Sequence, residues 1–271
     1  MDGLGGCERE MRKSLEGKVA VITGASGGIG SACARELHRR GAQVVVTGRA
    51  AEALSGLAGE LGPRSLAVPM DVADDQSVKE GFADIYARCG SVDVLVNNAG
   101  FGLFEAVAEA DIASFEQMMN VNYMGTVRCT KAALPSMLSA GMGHIVNIAS
   151  IAGKLATARS AGYSATKHAV LGFTNALRQE LYGTGIAVTA VHPGPVRTAF
   201  FNTADPGGTY VRNIQRFMVT PERVAGAAAD AVERRKAEVH VPGWMGFGAR
   251  AAQSLPVAWV NACASRLLRL K

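Results

Sequence analysis

The stretch KVAVITGASGGIGSACARELHRRG, Lys18 to Gly41, decides the fold. A β-branched run comes first, the turn TGASGGIG (Thr23 to Gly30) follows, and apolar residues at helical spacing continue to Gly41, where a helix C-cap glycine belongs. Strand, glycine-rich turn and helix in that order aim the free N–H groups of a helix N-terminus at the carboxyl end of a strand, where a pyrophosphate can be cradled. A glycine-rich string alone would signal only a tight turn; its position between strand and helix gives it weight. In this reading Gly24 permits the turn, and Ser26, Gly27, Gly28 and Ile29 form the cradle, with Gly28 letting a phosphate approach closely. Gly30 packs the helix against the strand.

Outward from this unit the same rhythm repeats. QVVVTG, a helix over Ala51 to Leu61 and SLAVPMDV complete a βαβαβ half. A helix over Asp74 to Cys89, the strand VDVLVN, a long helix over Ile112 to Leu138, the strand HIVNIAS, a helix over Gly162 to Tyr182 and AVTAVHPG follow. Such alternation predicts an α/β fold, a Rossmann-type doubly wound parallel sheet in a three-layer α/β/α single domain over residues 15–243. Thr220-Pro221 marks the N-terminus of a last helix. Residues 195–219 lack periodicity but carry Phe200, Phe201, Tyr210, Phe217 and Met218, the pattern of a substrate lid. Residues 1–14 read as a flexible leader, and 244–271 as an amphipathic extension packed on its own domain or a partner. The alternative for that extension is peripheral contact with a membrane.

Composition limits the functional classes. The chain has 271 residues, 48% hydrophobic and 19% charged, with 32 glycines against nine prolines, which suits a compact enzyme. The net charge is +5, but the basic residues are scattered apart from Arg39-Arg40 and Arg234-Arg235-Lys236, so no nucleic-acid partner is expected. Cys7, Cys33, Cys89, Cys129 and Cys263 show no C-x-x-C spacing, and reduced thiols in a cytoplasmic enzyme are the simplest reading. No histidine or cysteine spacing suggests a metal. The first sixteen residues contain no apolar segment of a secretory signal, and Asp2 stands where myristoylation needs glycine. No transmembrane span is expected.

Two residues suit proton transfer. Tyr163 and Lys167 are i and i+4 on one helix, so both side chains emerge on one face. Lowering the tyrosine pKa by about three units with a nearby ammonium would take roughly 4 kcal/mol and give an acid–base group near neutral pH. Ser150 ends the strand HIVNIAS, and strand ends are where open parallel sheets place ligands. The alternatives are a solvent-facing Tyr–Lys pair and a serine that only caps a turn.

The spacing T-G-x-x-x-G-x-G, together with NNAG at Asn97 to Gly100, Y-x-x-x-K at Tyr163 to Lys167 and PGPVRT at Pro193 to Thr198, resembles the classical short-chain dehydrogenase/reductase family over about Gly17 to Thr198. The resemblance implies a catalytic set of Asn122, Ser150, Tyr163 and Lys167. Ser150 would hold the substrate carbonyl and Tyr163 would be the acid or base. Lys167 would lower the tyrosine pKa and hold the nicotinamide ribose, and Asn122 would anchor a water that relays protons to Lys167. Asn120 is the alternative asparagine, but Asn122 fits the N-x-x-G pattern with Gly125. The resemblance also places Asn98, Ala99 and Gly100 at the adenosine ribose, Asp71 and Val72 at the adenine, and Pro193, Gly194, Val196 and Thr198 at the nicotinamide end. His192 beside Pro193 reads as structural. A homodimer or homotetramer is the expected assembly.

An acidic residue usually follows a dinucleotide turn by about 20 residues and binds the ribose 2′-hydroxyl of NAD. Here Gly48 and Arg49 stand at that place. Glycine leaves space and Arg49 offers a planar cation for a 2′-phosphate, which points to NADP (NADPH) over NAD; the alternative is a surface arginine, and TGASGGIG itself holds no basic residue. Phe101, Leu103, Phe104 and Ile151 to Leu155 add apolar contacts, so a hydrophobic ketone, aldehyde or alcohol is the expected substrate. An NADP(H)-dependent carbonyl oxidoreductase follows. A non-catalytic dinucleotide sensor is the competing function, since a fold alone does not fix chemistry.

Overall fold

The structure, a computed structural model, describes residues 15–256 and 258–259. The leader expected at 1–14, Cys7, Cys263 and the end of the expected C-terminal extension, 260–271, lie outside the described residues.

The chain runs β1 (Val19–Thr23), α1 (Gly28–Arg39), β2 (Gln43–Gly48), α2 (Ala51–Leu61), β3 (Ser65–Pro69), α3 (Asp75–Cys89) and β4 (Val94–Asn97). It continues with α4 (Ile112–Met118), a π-helical turn (Met119–Met124), α5 (Gly125–Ala140), β5 (Gly143–Ile148), a 3-10 turn (Ile151–Gly153), α6 (Ala161–Glu180) and β6 (Ile186–Pro193). The last elements are α7 (Phe200–Ala204), α8 (Thr209–Ile214), a 3-10 turn (Gln215–Phe217), α9 (Pro221–Glu233), β7 (Glu238–Val241) and α10 (Gly243–Gln253).

All seven strands pair in parallel in the order β3-β2-β1-β4-β5-β6-β7. The order reverses between β1 and β4, and the crevice beyond their carboxyl ends is where open α/β sheets bind ligands. Because side chains alternate along a strand, Ala20 and Ile22 pack on one face with α1, α2 and α9, while Val19 and Val21 pack on the other with α3, α5 and α6. The three-layer single domain read from the sequence is therefore present.

Arg40 ties two helices of the first layer together. Its guanidinium, nearly buried, meets Glu36 at 2.8 Å, Asp230 at 2.7 Å and Glu233 at 2.8 Å. At the start of α9, Thr220 accepts from the Arg223 N–H and Pro221 takes the first helical position.

Three features depart from the sequence reading. The expected helix over 112–138 is broken by the π-helical turn, a single-turn widening that apolar periodicity does not register. The aperiodic segment 195–219 contains two short helices, α7 and α8, each too short to show a period. A seventh strand and a further helix follow the helix at Pro221. The strand β7 spans only four residues at the sheet edge, and α10 carries apolar residues on more than one side.

Candidate active site

A cavity of about 600 Å³ opens at the switch point between β1 and β4. Its floor is main chain. Gly24 has φ +64°, and a Cβ there would lie 2.8 Å from the Ala99 Cα; Gly28 has φ +59°, and a Cβ would press on Thr198 at 3.2 Å. Both positions therefore demand glycine. Gly30 does not line the cavity: a Cβ there would run into the Gly24 carbonyl and lie 2.5 Å from Asn98 Nδ2, so its part is packing.

Thr23 holds this end together, a role the sequence reading missed. Its Oγ1 accepts from the N–H groups of Asn98 and Ala99, each at 3.0 Å, while Asn98 Nδ2 donates to the carbonyls of Thr23 and Gly24. The ends of β1 and β4 are thus stapled side by side. The first letter of TGASGGIG was the available signal. Ser26, Gly27, Ile29, Asn98, Ala99 and Gly100 line the cavity next to these staples.

Arg49 also lines the cavity. It is exposed, and its guanidinium makes no hydrogen bond or ion pair with a described residue. A Cβ at Gly48 would meet Leu54 at 3.8 Å and nothing closer, so the backbone leaves room for an acidic residue that this sequence does not place there. Asp71 and Val72 line the same end, in the loop after β3, which stops at Pro69. Asp71 Oδ1 accepts from the Ala73 N–H at 2.9 Å.

Ser150, Tyr163 and Lys167 meet at the other end. Ser150, buried at the tip of β5, both caps the following 3-10 turn, accepting from the Ala152 N–H at 3.1 Å, and hydrogen-bonds the Tyr163 hydroxyl. The turn-capping role read from the sequence is therefore present, and the same hydroxyl faces Tyr163. Lys167 is buried and donates to the Ile148 carbonyl at 2.8 Å, with its Nζ 5.8 Å from the centre of the Tyr163 ring. The two side chains share a face, as i and i+4 dictate.

Their electrostatics differ from the expectation. Desolvation pushes the Tyr163 hydroxyl up to about 12, against the lowering effect of the Ser150 hydrogen bond, and the same loss of water brings Lys167 down to about 8. The lowered tyrosine pKa expected from an adjacent ammonium is therefore corrected here: Lys167 turns its charge to a backbone carbonyl, and burial dominates both groups.

Asn122 sits in the π-helical turn, buried, and does not line the cavity. Its Oδ1 accepts from the Phe101 N–H at 2.9 Å, and its Nδ2 donates to the Phe101 carbonyl at 2.8 Å and to Thr166 Oγ1 at 3.0 Å. The side chain therefore fixes the loop after β4 to the helix that carries Tyr163 and Lys167. Asn120 instead accepts from Arg128 and donates to the Ala73 carbonyl.

Pro193, Gly194, Val196 and Thr198 line the cavity beyond β6. Aromatic rings form the wall above: Phe104 lies 5.9 Å from Tyr163, 6.3 Å from Phe200, 6.2 Å from Phe201 and 4.8 Å from Tyr210. The Phe104 N–H donates to the Ala204 carbonyl, tying the wall to α7.

Behind Ser150, the β6–β7 register sets His192 beside His240, their rings stacked at 4.8 Å, with Glu238 on the same strand face. These three could hold a metal by geometry, a grouping hidden from sequence because the residues come from two strands. Glu238, however, is engaged by Lys154 at 3.0 Å and Arg250 at 3.2 Å. His192 is fully buried, and since a carbonyl only accepts, its Nδ1 donates to the Ser150 carbonyl at 3.3 Å.

Comparison with known proteins places this geometry. A family model described as short chain dehydrogenase matches residues 18–207. An uncharacterized oxidoreductase of Staphylococcus saprophyticus is 39% identical over 224 residues, 81% of this chain and 93% of the relative. Among solved structures, a short chain dehydrogenase/reductase from Burkholderia phymatum in complex with NAD is 26% identical with a TM-score of 0.82, covering 88% of this chain and 93% of its own. The closed form of a serine dehydrogenase complexed with NADP+ is 34% identical with a TM-score of 0.77, covering 82% and 94%. The two similar structures thus carry different dinucleotides.

Proposed function

Since the chain belongs to the short-chain dehydrogenase family, we propose that it is an NADP(H)-preferring oxidoreductase that interconverts an apolar ketone or aldehyde with its alcohol, Tyr163 moving the proton. The observation that carries this reading is a single cavity with Arg49 and the glycine turn at one end and Ser150, Tyr163 and an aromatic wall at the other. Its volume, about 600 Å³, lies within the range of ligand pockets. A main-chain cradle at Gly24 and Gly28, where positive φ and close neighbours disfavour any side chain, fits a dinucleotide.

When bound, a nicotinamide supplies or accepts the hydride. The chain's own groups manage the proton. Ser150 orients a carbonyl oxygen through its hydroxyl. Tyr163, with its pKa pushed to about 12, holds its proton at neutral pH and is set to give it to the oxygen as negative charge develops, which favours the reductive direction. Lys167, held at the Ile148 carbonyl, fixes positive charge below the tyrosine, and Asn122 keeps the two supporting segments in register. The apolar wall of Phe104, Phe200, Phe201 and Tyr210 excludes water and selects an apolar substrate.

The test is a panel of ketones, aldehydes and alcohols read by the absorbance of the reduced nicotinamide, repeated with Tyr163→Phe. The variant is expected to keep dinucleotide affinity and lose turnover by about 10²- to 10⁴-fold. Wild-type turnover in the variant would overturn the assignment of Tyr163. Dinucleotide binding with no turnover on any member of the panel, by wild type and variant alike, would favour the sensor reading.

A further inference from the structure

The excess positive charge of the protein is concentrated. From Pro206 to Pro221 and from Val239 to Lys271 there is no Asp or Glu, while Arg212, Arg216, Arg250, Arg266, Arg269 and Lys271 supply six basic residues. The remainder of the chain then holds 22 basic against 23 acidic residues, so these two segments account for the whole net charge of +5. Glu238, the acidic residue just before the second segment, is spoken for by Lys154 and Arg250.

Apart from Tyr182, the exposed large aromatics among the described residues fall in the same two segments. Among the described residues, every exposed Phe and Trp is here: Phe217, Trp244, Phe247 and Trp259, with Leu255 beside them. The helix α10 shows how the face is built. Gly246 and Ala249 are buried, Gly246 against the His240 ring, so small residues serve the contact with the domain. Trp244 and Phe247 remain 60% and 79% exposed, one helical turn apart. Phe217 joins them, its ring 6.2 Å from that of Trp244, with the Arg216 guanidinium 4.7 Å above Phe217.

From this coincidence of aromatic and basic character we infer that the face formed by Arg216, Phe217 and α10 docks on an anionic lipid surface. Tryptophan and phenylalanine beside arginine, without acidic residues, is the chemistry of an interfacial segment, where rings enter the headgroup layer and guanidinium groups meet lipid phosphates. A second copy of the chain fits poorly. A two-fold interface would set this face against itself, bringing together the exposed Arg216 and Arg250 of each copy with only Glu238, already held by Lys154 and Arg250, as an acidic group among the described residues. No described helix is long and apolar enough to cross a membrane, so the attachment is peripheral.

The face adjoins the cavity. The helix α8 carries Tyr210 at the cavity wall and leads through Ile214 to Phe217 on the docking face. Resting on the proposed function, an apolar substrate dissolved in the bilayer would reach Tyr163 from this side.

Of the two tryptophans of the chain, Trp244 lies on this face and Trp259 is exposed in the same acid-free segment, so tryptophan fluorescence reports on that region. The full-length protein is titrated with vesicles of phosphatidylcholine and with vesicles containing about 30% phosphatidylglycerol, and partitioning is checked by co-sedimentation. The expected result is a blue shift and co-sedimentation with the anionic vesicles only. Arg216→Glu together with Phe247→Ser is expected to weaken partitioning by about tenfold or more, at roughly fivefold for each basic group near an anionic surface. Turnover of a water-soluble carbonyl should be unchanged in this variant, which separates the result from the assignment of Tyr163. No shift with either vesicle, or equal binding to both, would overturn the inference. A variant that changes the oligomeric state in sedimentation velocity while wild type ignores lipid would overturn it in favour of a subunit interface.

Discussion

The two ends of the cavity are made of different material. At the dinucleotide end the contacts are main chain: strand ends stapled by Thr23 and Asn98, with glycines where any side chain would collide. At the substrate end they are side chains from loops and short helices, Phe104 against Phe200, Phe201 and Tyr210. Main-chain geometry is held by hydrogen bonds that cannot be weakened gradually, whereas an aromatic wall can lose one ring and keep its shape in part. One end should therefore respond to substitution abruptly and the other by degrees.

The severest test of that contrast is Thr23→Val, which keeps the shape and removes the hydroxyl. The part-buried Asn98 and Ala99 N–H groups each lose their acceptor, at about 1–2 kcal/mol for each donor left unpaired. The expected outcome is a stability loss of roughly 2–4 kcal/mol in urea unfolding, with dinucleotide affinity falling in parallel. A change under 0.5 kcal/mol would mean that the staple is dispensable and the contrast between the ends is false.

Charge is the one graded property of the dinucleotide end, and Arg49 carries it. Arg49→Asp is expected to weaken NADPH by about 10- to 100-fold and NADH much less, as a charged hydrogen-bonded group is worth roughly 1.5–3 kcal/mol. Because a Cβ at Gly48 meets only ordinary contacts, Gly48→Asp should fold normally and shift preference toward NADH. Equal losses for both dinucleotides in Arg49→Asp would return the arginine to the role of a surface residue.

The same difference in material explains what the sequence made legible. The turn TGASGGIG, the strand rhythm and the i, i+4 pair Tyr163 and Lys167 are local patterns, so the sheet and the positions facing the cavity could be read from spacing. What escaped is produced by contacts between distant segments. The bonds of Asn122 to Phe101 and Thr166 depend on a π-helical turn that periodicity does not show. The high pKa of Tyr163 depends on burial, which no spacing rule measures. The grouping of His192, Glu238 and His240 depends on β6–β7 register, and β7 was too short at the sheet edge to be seen.

At the substrate end, Phe104→Ala removes the ring that touches four others, but the wall persists through Phe200, Phe201 and Tyr210. The expected effect is a rise in KM for the best apolar substrate of about tenfold, near 1.4 kcal/mol, with dinucleotide affinity unchanged. Loss of dinucleotide affinity as well would show that the two ends are coupled through Phe104 and not separately built.

The smallest expected effect separates the ends by pH. His192 lies under Ser150, neutral and fully buried, with its pKa pushed below the usual value first by desolvation and then by Lys154; the Ser150 carbonyl opposes, His240 lowers it further, Glu238 opposes, and Arg250 pairs with Glu238 at 3.2 Å. A histidine depressed in the folded state takes up its proton first in the unfolded chain. Its contribution to stability is therefore full above about pH 6.5 and is lost as pH falls toward the folded value. Between pH 7 and 5.5 this amounts to about 1 kcal/mol. His144, pushed down to about 4 by burial, adds a similar slope from its place at the start of β5, facing Thr189 and near Arg235. Difference curves isolate each group: urea unfolding of His192→Asn against wild type, from pH 7 to 5.5, should show a shallower acid loss, and so should His144→Asn. Only the first should also change the acid limb of kcat, below about pH 5 where folded His192, pushed down to about 4, takes up its proton, because only His192 touches the carbonyl of Ser150. An acid limb of kcat that is identical in His192→Asn and wild type would mean that the substrate end is indifferent to the charge beneath it.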